Sequence, residues 1–475
     1  MPKKNKNNFM KNMKKNSSTA YQGYKIRRQS KPDDLLTDSN FGTPLGEYMR
    51  CFWQPVSLAS QVTRLPKKLK IFNEDLVIFR DGKNQIGLMQ LHCVHRGASL
   101  EFGVTQESGG IKCCYHGIHF DVTGEILEIP SEPDGGKRVM GRFCQPAYPT
   151  IERDGLIFAY FGNPDTIPEF EEWDSFSKEN KTELVAFSNI YPCNWLQVIE
   201  NIADQMHTAT LHQPMSLYDG ELPGEVDFDS FTLPSFSGIP VLDYHAVREN
   251  TAMAFVAGRR MSEKLVWWRI NECILPNLSH HAYLYEKGNA RRVFHRVHMA
   301  RWYVPVDNEN SIIFGWRMFG PSIDPDNMGN MEQVGHDSID FLGGQVAGSR
   351  TYKERQMLPG DFEAIVGQGE IASRVDEHRL SGDKGVVLFR KILSQALLNE
   401  NIPLLASMMH LDPNNFFRSY SQNSILNIQR FSDATKDREN IEAIGKKIIA
   451  IMASAPSAEP QRTNFVKAEL EKLET

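Results

Sequence analysis

Residues 93–97, Cys-Val-His-Arg-Gly, and 113–117, Cys-Cys-Tyr-His-Gly, decide how the first part of this chain folds. Together they read C-x-H-x17-C-x2-H. Each arm offers one thiolate and one imidazole, and each ends in a glycine suited to a tight turn beside a bulky group. Such ligands suit zinc or iron–sulfur. Zinc sites usually pair like with like, two Cys and then two His. Here both arms are mixed. That is what a two-iron cluster needs when one iron takes two thiolates and the other two imidazoles, each facing loop giving one ligand to each iron. Cys93, His95, Cys113 and His116 are therefore the candidate ligands of a [2Fe–2S] cluster, with structural zinc as the alternative. His92, His119 and Cys114 read as bystanders; Cys114 adjoins a ligand and cannot easily reach the same iron.

The surroundings of these loops read as short strands between turns. LKIF and DLVIFR are followed by DGKN and IGLMQLHC, a hairpin pattern, and then by IKCCYHG, IHFD and GLIFAYFG. Residues 43–165, opened by a short helix over Leu45–Phe52, are expected to form one all-β domain. PDTIPEFEEWDSF (164–176) is rich in Pro and acid and reads as a linker. A second domain, 166–430, opens with the strand ELVAFSNIYP and a helix from Asn194 to about Leu211. Later come the strands RRVFHRVHMARWYVPV and SIIFGWRMFG, joined by DNEN, and the helical stretches PGDFEAIVGQGEIA and KGVVLFRKILSQALL. In 431–475, Ile441, Ile444, Ile448 and Met452 recur at helical spacing and predict a core- or subunit-facing helix, with a partly mobile end from 455.

A second constellation lies in NWLQVIENIADQMHTATLH (194–212). Asn201, Asp204 and His207 would share one helical face. His212 lies five residues after His207, so both imidazoles can meet one metal only if the helix ends or bulges between them. Two His with a third, carboxylate ligand make the facial triad of non-heme Fe(II) oxygenases.

The run HCVHRGASLEFG…CCYHGIHFD resembles the Rieske domain of Rieske-type ring-hydroxylating oxygenases, and the 194–212 stretch resembles their catalytic motif. The likeness covers roughly residues 43–400 and is unlike the membrane-anchored respiratory Rieske proteins, whose extra loop Cys positions correspond here to Ala98 and Tyr115. Ile118 departs from the Trp often found there. The resemblance implies an α+β chain, an all-β Rieske [2Fe–2S] domain followed by a helix-grip catalytic domain. It implies the α (terminal oxygenase) subunit of the phthalate-dioxygenase-like branch. It implies Fe(II) held by His207, His212 and Asp361; Glu363, Asp337, Asp340 and Asp383 are rivals for the third ligand. Asp361 is favoured because Glu377-His378 follows sixteen residues on, as in the family. Asp204, and beside it Asn201, are implied in catalysis, Asp204 bridging His116 of a neighbouring subunit to His207 in a head-to-tail homotrimer. A separate NAD(P)H-dependent reductase, with or without a ferredoxin, would supply electrons; no G-x-G-x-x-G unit for a dinucleotide occurs in this chain. O2 would then hydroxylate, or O- or N-dealkylate, a small aromatic and acidic substrate. Trp267, Trp268, Phe255 and Tyr283 are candidates for an aromatic pocket or for plain core, and an Arg is expected to pair a substrate carboxylate, at no assigned position. An electron-transfer protein without oxygenase activity is the alternative.

Composition fits this frame. The 475 residues are 41% hydrophobic and 10% aromatic, which excludes wholesale disorder. No apolar run is long enough to span a membrane, and the start MPKKNKNNFMKNMKKN lacks the apolar core of a secretory signal. Nine of the 53 Lys and Arg lie in residues 1–28, which hold no acid, so the rest sets 44 basic against 59 acidic residues. The acidic body argues against nucleic-acid binding, and residues 1–42 read as a basic disordered tail and linker. Seven irregularly spaced Cys point to a reducing, cytoplasmic setting rather than a disulfide scaffold.

Overall fold

The computed structural model describes residues 22, 26, 31–178, 181–213, 224, 227, 229, 231–284, 290–324, 327–398 and 417–475. The basic tail, 1–28, lies outside these apart from Gln22 and Ile26. Residues 33–42, read as tail and linker, instead carry a helical turn, α1 (Asp34–Thr37), because Leu36 finds a buried site. Thr43 caps the next helix, α2 (Pro44–Arg50), accepting a hydrogen bond from the Gly46 amide.

Ten short strands follow: β1 (Gln54–Leu58), β2 (Lys67–Ile71), β3 (Glu74–Arg80), β4 (Ile86–Gln90), β5 (Val104–Thr105), β6 (Ile111–Lys112), β7 (His119–Phe120), β8 (Ile126–Glu128), β9 (Thr150–Arg153) and β10 (Leu156–Ala159). They form three small antiparallel sheets, β1-β10-β9, β2-β3-β4 and β5-β6-β7-β8. The DGKN turn joins β3 to β4 as expected: the Asp81 carboxylate accepts from the Lys83 and Gln85 amides, and Asn84 takes a positive φ of 65°. Segment 164–176 is no free linker. It makes two 3-10 turns and buries Trp173 and Phe176, whose apolar area outweighs the flanking acids and prolines.

The later strands are β11 (Glu183–Tyr191), β12 (Val241–Val247), β13 (Ala252–Arg260), β14 (Leu265–Ile274), β15 (Leu278–Ala282), β16 (Arg292–His295), β17 (Val297–Pro305), β18 (Ser311–Phe319) and β19 (Gln422–Asn427). They build one nine-stranded antiparallel sheet in the order β11-β18-β17-β15-β14-β13-β12, with β19 pairing both β14 and β16. This is the α+β arrangement expected, a sheet gripping a helix: α3 (Trp195–Ala203) packs against β14 and β17. The helix is shorter than its sequence suggests. Asp204 is extended (φ −93°, ψ 107°) and its carboxylate accepts from the Met206 amide, turning the chain out of the helix before His207. Asn201, Asp204 and His207 therefore do not share one helical face.

Helices α4 (Tyr352–Met357), α5 (Asp361–Val366) and α6 (Lys384–Leu398) follow; α5 stops well short of Ala372, running out into Gly367 and then Gly369, whose φ is +103°. In α7 (Ala434–Ser454) Ile441, Ile444, Ile448 and Met452 are buried, and the helix packs on β12 and β13. The end is not loose. α8 (Gln461–Glu471) buries Val466 and Leu470 and packs on β16, and Arg291 pairs with Glu471 and Glu474. No helix among the described residues is long and apolar enough to cross a membrane.

Candidate metal centres

The two cluster loops are copies of one turn. Cys93 N donates to Ala98 O and Gly97 N to Cys93 O, each at 2.8 Å; Cys113 N donates to Ile118 O at 2.9 Å and Gly117 N to Cys113 O at 3.0 Å. Gly97 and Gly117 hold φ of +74° and +71°, a conformation other residues avoid. Cys93 and Cys113 are buried, whereas the His95 and His116 rings reach the surface with centroids 4.5 Å apart. Burial, and then the neighbouring Cys113, push the Cys93 thiol up to about 11. Two facing buried thiols ionise readily only with a cation between them, so this donor set fits an iron–sulfur cluster. Buried Gln145 braces the first loop: its side-chain oxygen accepts from Val94 N at 2.8 Å and its amide donates to Gln90 O and His92 O. Cys114 is exposed, and His119 Nε2 donates to Gly109 O, 2.7 Å away.

The structure brings His207, His212 and Asp361 together, with one ligand atom from each lying within 4.8 Å of the others. His207 Nε2 is 3.4 Å from Asp361 Oδ1, and His212 Nε2 is 3.4 Å from Oδ2. Burial drives His207 towards its neutral form, the form that ligates. Burial would raise Asp361, but His212, His207 and Gln345 hold it well below the usual carboxylate range. Such a buried carboxylate between two imidazole nitrogens fits a divalent iron.

The surrounding scaffold fixes Asp361. Asn201 donates to its Oδ1 at 3.1 Å and Gln345 donates to its Oδ2. Gly344 and Gly360 pass so closely that a Cβ on either would lie 2.6 or 2.5 Å from the other's Cα. Gly344 O accepts from Phe362 N, and Gln345 O accepts from the Tyr191 hydroxyl. Sequence reading missed Gln145, Gln345 and this glycine crossing. The rival carboxylates are engaged elsewhere: Glu363 with Arg350 and Arg355, Asp340 with Arg317, Asp337 with Ile190 N and Asp383 with Leu380 N.

A small cavity of about 30 Å³ opens on the triad, and Arg269, His281, Arg301, Leu284 and Phe341 are among its walls. The aromatic candidates do not line it. Trp267 stacks on Phe236, Trp268 donates to Ile441 O, and Phe255 is core. On the outer side, a charged groove of about 300 Å³ includes Glu200, Asp204, Arg374 and Arg390. His207 lines both spaces, with its Nδ1 3.8 Å from Asp204 Oδ2.

The profile of the Rieske [2Fe-2S] domain matches residues 52–149. The chain is 43% identical, over 91% of its length and 92% of the relative's, to the tert-butanol monooxygenase / tert-amyl alcohol desaturase oxygenase subunit of Aquincola tertiaricarbonis. It is 34% identical to the phenoxybenzoate dioxygenase subunit alpha of Ectopseudomonas oleovorans, over 77% of this chain and 85% of that one. The solved structure of NdmB from Pseudomonas putida CBB5 shares the fold, with a TM-score of 0.55 at 21% identity over 80% of this chain and 98% of that chain.

Proposed function

Because this chain belongs to the Rieske-type non-heme iron oxygenases, as the α (oxygenase) subunit of a multicomponent enzyme, we propose specific roles for its residues. Cys93, His95, Cys113 and His116 hold the [2Fe–2S] cluster. His207, His212 and Asp361 hold Fe(II). When bound, the cluster stores an electron and the ferrous ion activates O2. The reaction is hydroxylation, or O- or N-dealkylation, of a small organic substrate on the cavity side of the triad. Residues 43–165 form the cluster domain and 166–430 the catalytic domain.

The observation that carries this reading is the position of His207 between cavity and groove. Its Nε2 faces Asp361 while its Nδ1 faces Asp204, whose carboxylate is partly exposed in the groove. The cluster imidazoles stand at the surface, available to another subunit. Asp204 accepts an N–H from His207 on one side and from His116 of a neighbouring copy on the other, fixing both tautomers and shortening the electron path. A head-to-tail homotrimer supplies that neighbour. Asn201 steadies Asp361. A separate NAD(P)H-dependent reductase, directly or through a ferredoxin, delivers electrons. The seven unpaired cysteines support a reducing, cytoplasmic setting.

The test combines metal analysis with two variants. Anaerobically purified protein should hold two cluster irons, two acid-labile sulfides and one further iron per chain. His207→Ala should lose the single iron and oxygenation while keeping the cluster's visible spectrum. Asp204→Asn should keep all metal yet pass electrons far more slowly. Zinc without sulfide would refute the cluster assignment, and wild-type turnover in Asp204→Asn would refute the bridge.

A further inference from the structure

Gln145 gives its whole side chain to one short stretch of backbone. It is fully buried and lies between exposed Cys144 and strand β9, remote in sequence from both cluster arms. Its Oε1 accepts from Val94 N at 2.8 Å, and its Nε2 donates to Gln90 O at 2.8 Å and to His92 O at 3.0 Å. Both amide protons are thus used, on groups that precede Cys93, and the oxygen is used on the group that follows it. The main chain of Gln145 is clasped in turn. Its N donates to Gly124 O at 2.9 Å, and Gly124, at φ +87°, stands so close that a Cβ there would lie 1.8 Å from Gln145 O. Gly124 belongs to the turn between β7 and β8, and β7 follows the second arm directly. One residue therefore ties the first arm to the element that follows the second.

The consequence lies at the Cys93 sulfur. The Cys93–Val94 peptide is held at both ends, its oxygen by Gly97 N and its N–H by Gln145. With that plane fixed and Val94 N turned away, the next two amides are aimed inward. Burial works against the Cys93 thiolate, but the His95 and Arg96 amides face the sulfur and favour its charged form. Hydrogen bonds to a cluster's sulfurs set its reduction potential. They raise it, because the added electron increases the density on sulfur that the donors stabilise. We propose that Gln145 is a positioning residue of the cluster: it holds the Cys93–Val94 peptide so that the His95 and Arg96 amides stay on the Cys93 sulfur and keep the reduction potential up. This rests on the cluster assignment above, and it adds a residue outside the ligand set that tunes the electron store.

The test is a redox titration of the anaerobically purified full chain, followed in the cluster's visible and EPR spectra, with iron and acid-labile sulfide counted in the same samples. Gln145→Met keeps the side chain's length and loses all three hydrogen bonds. At a fixed solution potential its cluster should be about tenfold less reduced, the effect of about one hydrogen bond to a charged group, which is about 59 mV for a one-electron couple. Gln145→Asn, one methylene too short to span the same partners, should shift the potential the same way by less. Val77→Ala, which opens a hole in the same small core without touching either arm, should lower Tm and leave the potential alone. An unchanged or raised potential in a loaded Gln145→Met overturns the proposal; should that variant not assemble, the same result in Gln145→Asn does so. An equal fall in Val77→Ala also overturns it, since general loosening would then be the cause. The two readings fail differently: zinc without sulfide would sink the cluster assignment itself, whereas a full cluster with an unmoved potential would sink only the role of Gln145.

Discussion

Gly344→Ala should empty the mononuclear centre without touching the cluster. Gly344 has φ of +80°, where an alanine costs about 1–2 kcal/mol. Its new Cβ would also lie 2.6 Å from Gly360 Cα and 2.7 Å from Phe231 Cε1. Carbon contacts settle at roughly 3.5–4 Å, so the two segments must part by about 1 Å. That movement is delivered to the ligand, because Gly360 precedes Asp361, Gly344 O holds Phe362 N and Gln345 holds the Asp361 carboxylate. Metal–ligand distances tolerate only about 0.2 Å. Iron and acid-labile sulfide, measured after anaerobic purification, should show two cluster irons retained and the single iron well below one per chain. Gly348→Ala is the control: φ is +59°, yet nothing lies within 4 Å of its Cβ, so it meets the backbone cost alone and should keep its iron. Full mononuclear iron in Gly344→Ala, or equal loss in Gly348→Ala, would refute the argument that this crossing positions Asp361.

Other outcomes follow from the same contacts. Gln345→Leu removes the donor to Asp361 Oδ2 and should weaken the single iron by about ten- to hundredfold, read by chelator competition, with the cluster spectrum unchanged. Burial raises Glu171 to about 7, against the opposing effects of Trp173 and Arg248. The folded state therefore favours its protonated form, a contribution to stability present below about pH 4.5 and lost as pH rises through about 7. Calorimetry between pH 5 and 8 should show the wild-type Tm falling relative to Glu171→Gln; parallel curves would contradict the raised value. Ile448→Ala on α7 empties a fully buried site and should cost about 2–4 kcal/mol, whereas Lys447→Ala, at an exposed position of the same helix, should change Tm little.

What could be read in advance depended on how local the information was. The cluster ligands sit in two five-residue arms whose mixed composition already excludes the usual zinc pairing, and each arm folds as its own turn. His207 and His212 are nearly as local. Asp361 lies 149 residues beyond His212, and only the resemblance singled it out from its rivals. The early end of α3 had a local cause, since an Asp that can accept from the amide two residues on competes with the helix, but the apolar spacing of 194–211 masked it. Gln345 and the Gly344–Gly360 crossing carry no local mark, because their role exists only once α5 is docked.

Of the two readings open for the aromatics, pocket wall or plain core, the structure takes core, for an instructive reason. Large aromatics in β14 drew attention to Trp267 and Trp268, but strand alternation puts them on opposite faces. Trp268 meets α7 through Ile441 O, while Trp267 shares the face of Arg269 and Asn271 and stacks on Phe236, which itself lines the cavity. The telling residue in LVWWRINECI was the arginine, as it was in VHMARWYVP of β17. A charge set among buried strand residues must be paired or must wait for a partner. Sequence can flag such a residue but cannot say which case applies. For Arg296 and Arg317 the carboxylates of Glu459 and Asp340 beside them answer the question.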